Sequence, residues 1–366
     1  MSLFRWPLAL TPWRRPRPAA PTAVAAERAA SSRPRLVARE GTLVAPATAA
    51  EPEAPEVPLA DVTAPFLAWL LGQPHTDSAE PAHTAAQPLD AQVQAVLQRL
   101  DAVIRSDLQR NNLLPRAPQV LPQLMHSLRD DDYLSSDVAA RIGKDAVLSA
   151  EVIRAANGAH RGRRQPIIDL PQAVQSIGAD HLRRVIAKSV LRPIFDVRGA
   201  ALSAQAAPQI WVNAEFKARL CAALATAAGQ DALDGYLAGM LHDCGWTALL
   251  RAIDGLGTQG VALPAITHWT APATAQALAE RRDLLFCKLT RPWQLSAPLV
   301  AMAEDIETHG LAAARSPLAR ALRHAHGLAS LHALSCDARL PEGMGGILDT
   351  LPPDLKAGYE SVTRAE

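Results

Sequence analysis

The amino-acid sequence predicts an all-α protein: a multi-helix bundle that follows a disordered, Pro/Ala/Arg-rich N-terminal extension. Alanine and leucine dominate the apolar residues, whereas aromatic residues make up only 4%, and this mixture favours helices over sheets. Apolar residues recur at three- and four-residue steps through most of the chain, as in amphipathic helices. Proline is frequent in the first 60 residues, where it prevents a long helix and leaves little surface to bury.

Composition also limits the classes of function. Apolar residues form 49% of the 366 residues, enough for a large core, and the net charge of +1 gives no reason to expect a nucleic-acid or membrane partner. No stretch approaches the roughly 20 apolar residues of a membrane span. The cysteines are widely spaced and form no Cys-x-x-Cys pair: Cys221, Cys244, Cys287 and Cys336. We therefore expect a cytoplasmic protein with reduced, buried thiols and no cofactor.

The first 88 residues are predicted to be a disordered extension and linker. Inside this segment, Phe66 to Leu71 form a short apolar patch, which is either a docking turn or, as we favour, an incidental part of the linker. The basic start of the extension (Arg14, Arg15 and Arg17) leaves nucleic-acid binding as a third functional hypothesis.

The ordered part is predicted to begin near Leu89, with a helical domain at 89–310, a C-terminal helix within 311–340 and a loose tail at 341–366. Helix starts are indicated by the capping residues Asp145, Asp169 and either Asp231 or Asp234, and by the proline Pro208. Further helices are predicted at 272–290, 296–308 and 316–334.

The sharpest local motif is His242-Asp243, which ends an apolar helix. Imidazole and carboxylate together suit Mn, Fe or Zn, and a bound metal can activate water for phosphoester hydrolysis. A catalytic metal usually needs three or more protein ligands, yet the preceding helix contains no histidine and offers only Asn213. We therefore favour a hydrogen-bonded His–Asp pair that closes the helix end over a metal site.

Five segments, in the same order, resemble the HDOD domain family, a non-canonical relative of the HD phosphohydrolases found in bacterial signalling proteins. The resemblance covers residues 114–255. Its segments are Leu114-Pro-Arg-Ala-Pro, Val138-Ala-Ala-Arg-Ile-Gly-Lys-Asp, Val152-Ile-Arg-Ala-Ala-Asn-Gly, Ala173-Val-Gln-Ser-Ile-Gly and, after Trp211, Leu237-Ala-Gly-Met-Leu-His-Asp-Cys-Gly.

The resemblance implies an HD-like bundle in which Asn213 is a degenerate ligand position. The family's later histidines would fall near Arg282 and near Glu304 and Asp305, which leaves His242 and Asp243 as a residual HD dyad without a metal. It further implies a non-enzymatic signal-transduction module that binds a signalling protein or a nucleotide messenger. The alternative is a metal-dependent HD-type phosphohydrolase or phosphodiesterase.

A basic loop follows Asn157 and carries Arg161, Arg163 and Arg164. Asn157 precedes a glycine and is first a helix stop, and its side chain is a candidate for pinning the adjoining loop. The three arginines, with Arg183 and Arg184 as further candidates, are a candidate phosphate-binding group because guanidinium binds phosphate in a two-pronged way. A solvated charged loop is the interpretation that we favour.

Overall fold

A computed structural model describes residues 61–74, 89–106, 113–114, 139, 142–159, 165–197 and 201–364. Every regular element in these ranges is helical, which confirms the all-α prediction. Residues 1–60 and the basic loop after Asn157 lie outside the described residues, so the predicted extension and the Arg161, Arg163 and Arg164 group stay predictions. None of the described helices is both long and apolar enough to cross a membrane.

In chain order, the helices are α1 (Thr63–Leu70), α2 (Ala91–Arg105), α3 (Ala146–Ala159), α4 (Leu170–Ile177), α5 (Ala179–Phe195), α6 (Leu202–Ala227), α7 (Ala232–His242), α8 (Cys244–Thr258), α9 (Ile266–Trp269), α10 (Pro272–Thr290), α11 (Ala297–His309), α12 (Pro317–Cys336) and α13 (Pro353–Thr363). The predicted helices at 272–290, 296–308 and 316–334 correspond to α10, α11 and α12.

Local capping explains where several helices begin. The carboxylates of Asp145, Asp169 and Asp231 each accept a hydrogen bond from a backbone N–H two or three residues later, as predicted from the sequence. The prediction that Pro208 starts the long helix is wrong, because α6 already begins at Leu202. Its first turn is held by Asp254 of α8, whose carboxylate accepts hydrogen bonds from the Leu202 and Ser203 backbone amides.

Helices α6 and α7 pack backbone against backbone because two glycines of α7 face α6. A Cβ atom at Gly235 would lie 2.6 Å from the Ala225 Cβ, and one at Gly239 would lie 2.7 Å from the Ala218 Cα. Such distances are shorter than real Cβ contacts, so the approach requires glycine at both positions. This close packing brings the middle of α6 next to the end of α7, where His242 lies.

A third glycine sets the position of α10. A Cβ atom at Gly245, in the first turn of α8, would lie 2.4 Å from the backbone oxygen of Arg282. The backbone of α10 therefore passes directly over the junction between α7 and α8. As a result, Arg282 and Asp283 lie beside the His242-Asp243 dyad.

Both ends of the described chain are more ordered than the sequence indicated. Residues 63–70 form α1, with Phe66, Leu67 and Leu70 buried against α10 and α12, so the linker interpretation is wrong for this segment. Residues 353–363 form α13 on the surface of α6, so the loose-tail prediction is wrong there. Each helix is short, and each is stabilised by tertiary packing that a local pattern does not reveal.

Candidate functional site

The HD dyad lies at the junction of α7 and α8, where His242 and Asp243 have no exposed surface. Lys217 of α6 is also fully buried, and its ammonium lies between them. Its Nζ is 3.1 Å from the His242 Nδ1 and 2.6 Å from the Asp243 Oδ1. The predicted hydrogen bond between the two dyad residues is therefore replaced by a bridge through Lys217.

Asn213 lies one turn before Lys217 on the same face of α6. Its Nδ2 donates a hydrogen bond of 2.8 Å to the Asp243 Oδ2. Both oxygens of the Asp243 carboxylate are thus engaged by α6. Among the described residues, the buried Asn213 Oδ1 has no hydrogen-bond partner, so the amide serves the dyad as a donor.

Helix α10 contacts the other side of His242. The His242 Nε2 lies 2.9 Å from the Asp283 Oδ1, and the same oxygen lies 2.7 Å from the Arg282 Nε. The Arg282 guanidinium continues to His326 of α12, with a distance of 3.3 Å from Nη1 to Nε2, and covers the ring of Trp246 at 5.1 Å. We call the connected set the buried polar cluster; its members are Asn213, Lys217, His242, Asp243, Arg282, Asp283 and His326.

Hydrogen bonding and charge define the protonation of the cluster. Burial, followed by the charges of Arg282 and Lys217, holds the pKa of His242 well below its usual value, so the ring is neutral. The Lys217 ammonium donates to the His242 Nδ1, which leaves Nε2–H to donate to Asp283. Burial lowers the pKa of Lys217 and the Asp243 carboxylate opposes that shift. Burial also raises the pKa of Asp283, and the adjacent Arg282 opposes that shift. The cluster thus pairs two basic side chains, Lys217 and Arg282, with two acidic ones.

These residues do not fit a divalent metal ion. The lone pair of the His242 Nδ1 is used by Lys217, and the Asp243 oxygens are used by Lys217 and Asn213. An ion between the dyad side chains would meet an ammonium group there. Across the ranges that the structure describes, no group of three or more His, Cys, Asp or Glu side chains is placed to hold a metal.

Aromatic rings close the cluster on the side of α1 and α12. The His326 ring lies 5.0 Å from that of His242, measured between centroids, and Phe66 of α1 meets His326 edge-on at 6.1 Å. Phe286 packs against His242 at 5.3 Å. These rings therefore enclose His242, and both dyad side chains are fully buried.

The remaining predicted positions lie elsewhere. Asn157 bridges α3 to the segment before α4: its side chain donates to the Ile167 backbone oxygen at 2.8 Å and accepts from the Ile167 backbone N–H at 2.7 Å. Asp305 accepts hydrogen bonds from the Arg315 and Ser316 backbone amides and so stabilises the turn before α12, and Glu304 is exposed. Neither acidic residue reaches the buried polar cluster.

Sequence reasoning identified the dyad and Asn213, and the family resemblance placed a later ligand position near Arg282, which lies in the cluster. Lys217, Asp283 and His326 were missed. Lys217 follows Asn213 by four residues and so lies on the same face of α6, a signal that was available. Asp283 and His326 had no such signal, because they reach the dyad only through the packing of α10 and α12.

The described helices and the buried dyad define an all-helical protein with a modified HD site. The HDOD domain family matches residues 114–308, more than half of the chain, and this protein belongs to that family. The match confirms the resemblance and extends it beyond residue 255, although α1, α2, α12 and α13 lie outside it.

Similar proteins are distant. An uncharacterized protein of Treponema pallidum (strain Nichols) is 27% identical over 164 residues, which cover 43% of this chain and only 30% of that protein. An HDOD domain protein of unknown function from Geobacter sulfurreducens is 18% identical, covering 75% of this chain and 95% of its own, with a TM-score of 0.47. A proposed metal-dependent phosphohydrolase from Shewanella amazonensis SB2B is 18% identical, covering 75% of this chain and 99% of its own, with a TM-score of 0.48.

Proposed function

We propose that this protein is a non-enzymatic regulatory module of the HDOD type, which acts by binding a signalling protein or a nucleotide-type messenger. The observation that carries the proposal is the Lys217 ammonium between His242 and Asp243, at 3.1 and 2.6 Å. In this arrangement the protein's own side chain takes the part that a divalent ion would have between an imidazole and a carboxylate.

Charge balance supports this proposal. An ion at the dyad would lie within a few ångströms of Lys217 and Arg282, both completely or almost completely buried. Repulsion between like charges is strong where water is excluded. The two carboxylates of the buried polar cluster are already balanced by these two bases, so an added ion would bring uncompensated charge into the core.

The burial of the dyad also supports the proposal, because it restricts access to the site. Hydrolysis requires the substrate phosphate and a water molecule to reach the metal-bound dyad, and both His242 and Asp243 are fully buried. Substrate entry would require Phe66 or His326, with the helices that carry them, to move away. The alternative, a metal-dependent phosphohydrolase or phosphodiesterase, therefore needs both a different side chain at position 217 and an open form.

Metal content and turnover test the proposal. The full chain is purified without chelators, its Mn, Fe and Zn are quantified by mass spectrometry, and hydrolysis of nucleotides and cyclic dinucleotides is measured with added Mn²⁺. We expect less than stoichiometric metal and the same background rate in the wild type and in His242→Ala. The matched control is His268→Ala, a change at a half-exposed histidine outside the cluster.

Stoichiometric metal together with turnover that is abolished by His242→Ala, but not by His268→Ala, would overturn the proposal in favour of hydrolysis. Stoichiometric metal without turnover would contradict the role given to Lys217 and leave the protein non-enzymatic.

A further inference from the structure

Cys336, the last residue of α12, differs from the other cysteines of the chain. Cys221, Cys244 and Cys287 are buried, whereas Cys336 is exposed, so the prediction of buried thiols is wrong at this position. Burial raises the pKa of the Cys221 thiol to about 12, and it also raises the pKa of the Cys244 and Cys287 thiols. These three thiols are therefore neutral and shielded, and Cys336 is the cysteine that a dissolved reagent meets.

A histidine lies within hydrogen-bond range of this thiol. The Cys336 Sγ is 3.6 Å from the Nε2 of His332, which lies one turn earlier on the same face of α12. An imidazole that takes the proton of a thiol then faces the thiolate as a cation. This pairing is one of the ways in which proteins make a cysteine reactive.

Two other helices hold the imidazole in place. Its ring stacks on Phe216 of α6, with the ring centroids 4.0 Å apart and the ring planes at 4°. Its Nδ1 lies 2.8 Å from the hydroxyl oxygen of Tyr359 in α13. Because the stacking fixes the plane and the hydrogen bond fixes Nδ1, the other nitrogen is directed towards the sulfur. Cys336, His332 and Tyr359 thus form a chain of nucleophile, base and orienting group.

The charges around the thiol make the imidazole important for its ionisation. Cys336 ends α12, and the negative end of the helix dipole opposes a charge on the sulfur. The next residue, Asp337, forms an ion pair with Arg339 at 3.5 Å, so these two charges largely offset each other. Helix α6 adds Arg219, whose guanidinium lies 5.6 Å from the ring on which the imidazole stacks. Formation of the thiolate therefore depends on proton transfer to His332.

We propose that Cys336 is a modification site, which forms mixed disulfides with small disulfide compounds of the glutathione class. The His332 Nε2 takes the thiol proton, and the thiolate attacks one sulfur of the compound. The S–S bond of the compound breaks as the new S–S bond forms, and the departing thiolate takes the proton back from His332. The small disulfide is the only co-reactant, and the reaction does not involve the His242-Asp243 dyad.

Reaction of the full chain with oxidised glutathione tests the assignment. Adducts are counted by intact-mass spectrometry after removal of reductant and are located by peptide mapping. We expect one adduct per chain, on Cys336, and none in Cys336→Ser. A cysteine that ionises at about pH 8.5 is only about 3% thiolate at pH 7, so transfer of its proton to imidazole raises that fraction by up to about thirtyfold. Because a less basic thiolate is a weaker nucleophile, the rate constant at pH 7 should be about tenfold above that of a short cysteine peptide without histidine.

Two variants test the role of the imidazole. His332→Phe keeps an aromatic ring against Phe216 but removes the base, and it should slow the reaction about tenfold at pH 7. Tyr359→Phe removes the orienting hydroxyl and should slow the reaction to a smaller extent. His268→Phe is the matched control, because it removes a half-exposed histidine that lies beside Asp90, and it should react like the wild type.

The pH dependence of the rate distinguishes a base from a merely structural histidine. In the wild type the rate constant should reach half its maximum below about pH 8.5, whereas in His332→Phe this midpoint should move to about 8.5 or above. If circular dichroism shows that His332→Phe is unfolded, the wild-type midpoint decides. A wild-type midpoint at or above about pH 8.5 would overturn the assignment. Equal rates in the wild type and a folded His332→Phe would also overturn it, as would an adduct on a buried cysteine in place of Cys336.

Discussion

Replacement of Lys217 by methionine tests the central feature of the buried polar cluster. Methionine keeps the length and apolar stem of lysine but removes the ammonium that contacts His242 and Asp243. The Asp243 carboxylate would then be buried with no positive partner, and loss of one member of a buried ion pair costs about 3–5 kcal/mol. Since the free energy of unfolding of a domain is about 5–15 kcal/mol, Lys217→Met should remove a large part of the total stability.

Urea denaturation followed by circular dichroism measures this loss. The matched control is Lys288→Met, which removes a partly exposed ammonium 3.9 Å from Glu307 and should cost less than about 1 kcal/mol. A double-mutant cycle with Asp243→Asn then isolates the interaction free energy between Lys217 and Asp243. We expect the double variant to be more stable than the sum of the single losses by at least about 2 kcal/mol.

Two results would refute this reasoning. A loss below about 1 kcal/mol for Lys217→Met would mean that Lys217 does not compensate the buried carboxylate. Additive single and double variants would mean that Lys217 and Asp243 are energetically independent despite their 2.6 Å contact.

Three further outcomes follow from the same cluster. Addition of 1 mM Mn²⁺ or of a chelator should leave the unfolding free energy unchanged, whereas an ion held with a dissociation constant of 10 μM would add about 2.7 kcal/mol. Burial holds the pKa of His326 well below 6.5, so its ring is neutral in the folded state and gains a proton on unfolding. The folded state therefore loses stability as the pH falls below about 6.5. In His326→Phe, the unfolding free energy should depend less steeply on pH, by up to about 1.4 kcal/mol per pH unit. Gly245→Ala should destabilise the protein by about 1–3 kcal/mol because the new Cβ meets the Arg282 backbone. Gly255→Ala, with open space around it, should be neutral or stabilising. Equal effects of the two substitutions in thermal unfolding would contradict the packing argument.

The elements that the sequence predicted correctly depend on local signals. Asp145, Asp169 and Asp231 cap their helices through backbone amides two or three residues away, so a short window of sequence contains both partners. The start of α6 could not be found in this way, because Asp254 caps it from about 50 residues further along the chain. The same limit explains α1, whose stability comes from helices far away in sequence.

The candidate site likewise contains residues that a local sequence signal identifies and residues that only the tertiary packing reveals. His242 and Asp243 form a contiguous motif. Asn213 was identified because it occupies the position of the preceding helix where the family has a histidine. The role of Lys217 depends on the close approach of α6 and α7, which Gly235 and Gly239 permit. The spacing of Lys217 from Asn213 indicates the shared helix face. A lysine on a helix nevertheless usually occupies a solvated position, so only the packing reveals that this one is buried.

The contact between Phe66 and His326 has a practical consequence for experiments on isolated fragments. Both residues lie outside residues 114–308, the part of the chain shared with other HDOD domains. A fragment cut at those limits would lack α1, α2, α12 and α13, and the apolar surfaces of α6, α8, α10 and α11 beneath them would face water. We therefore expect such a fragment to aggregate, and its behaviour would say little about the protein as the cell makes it.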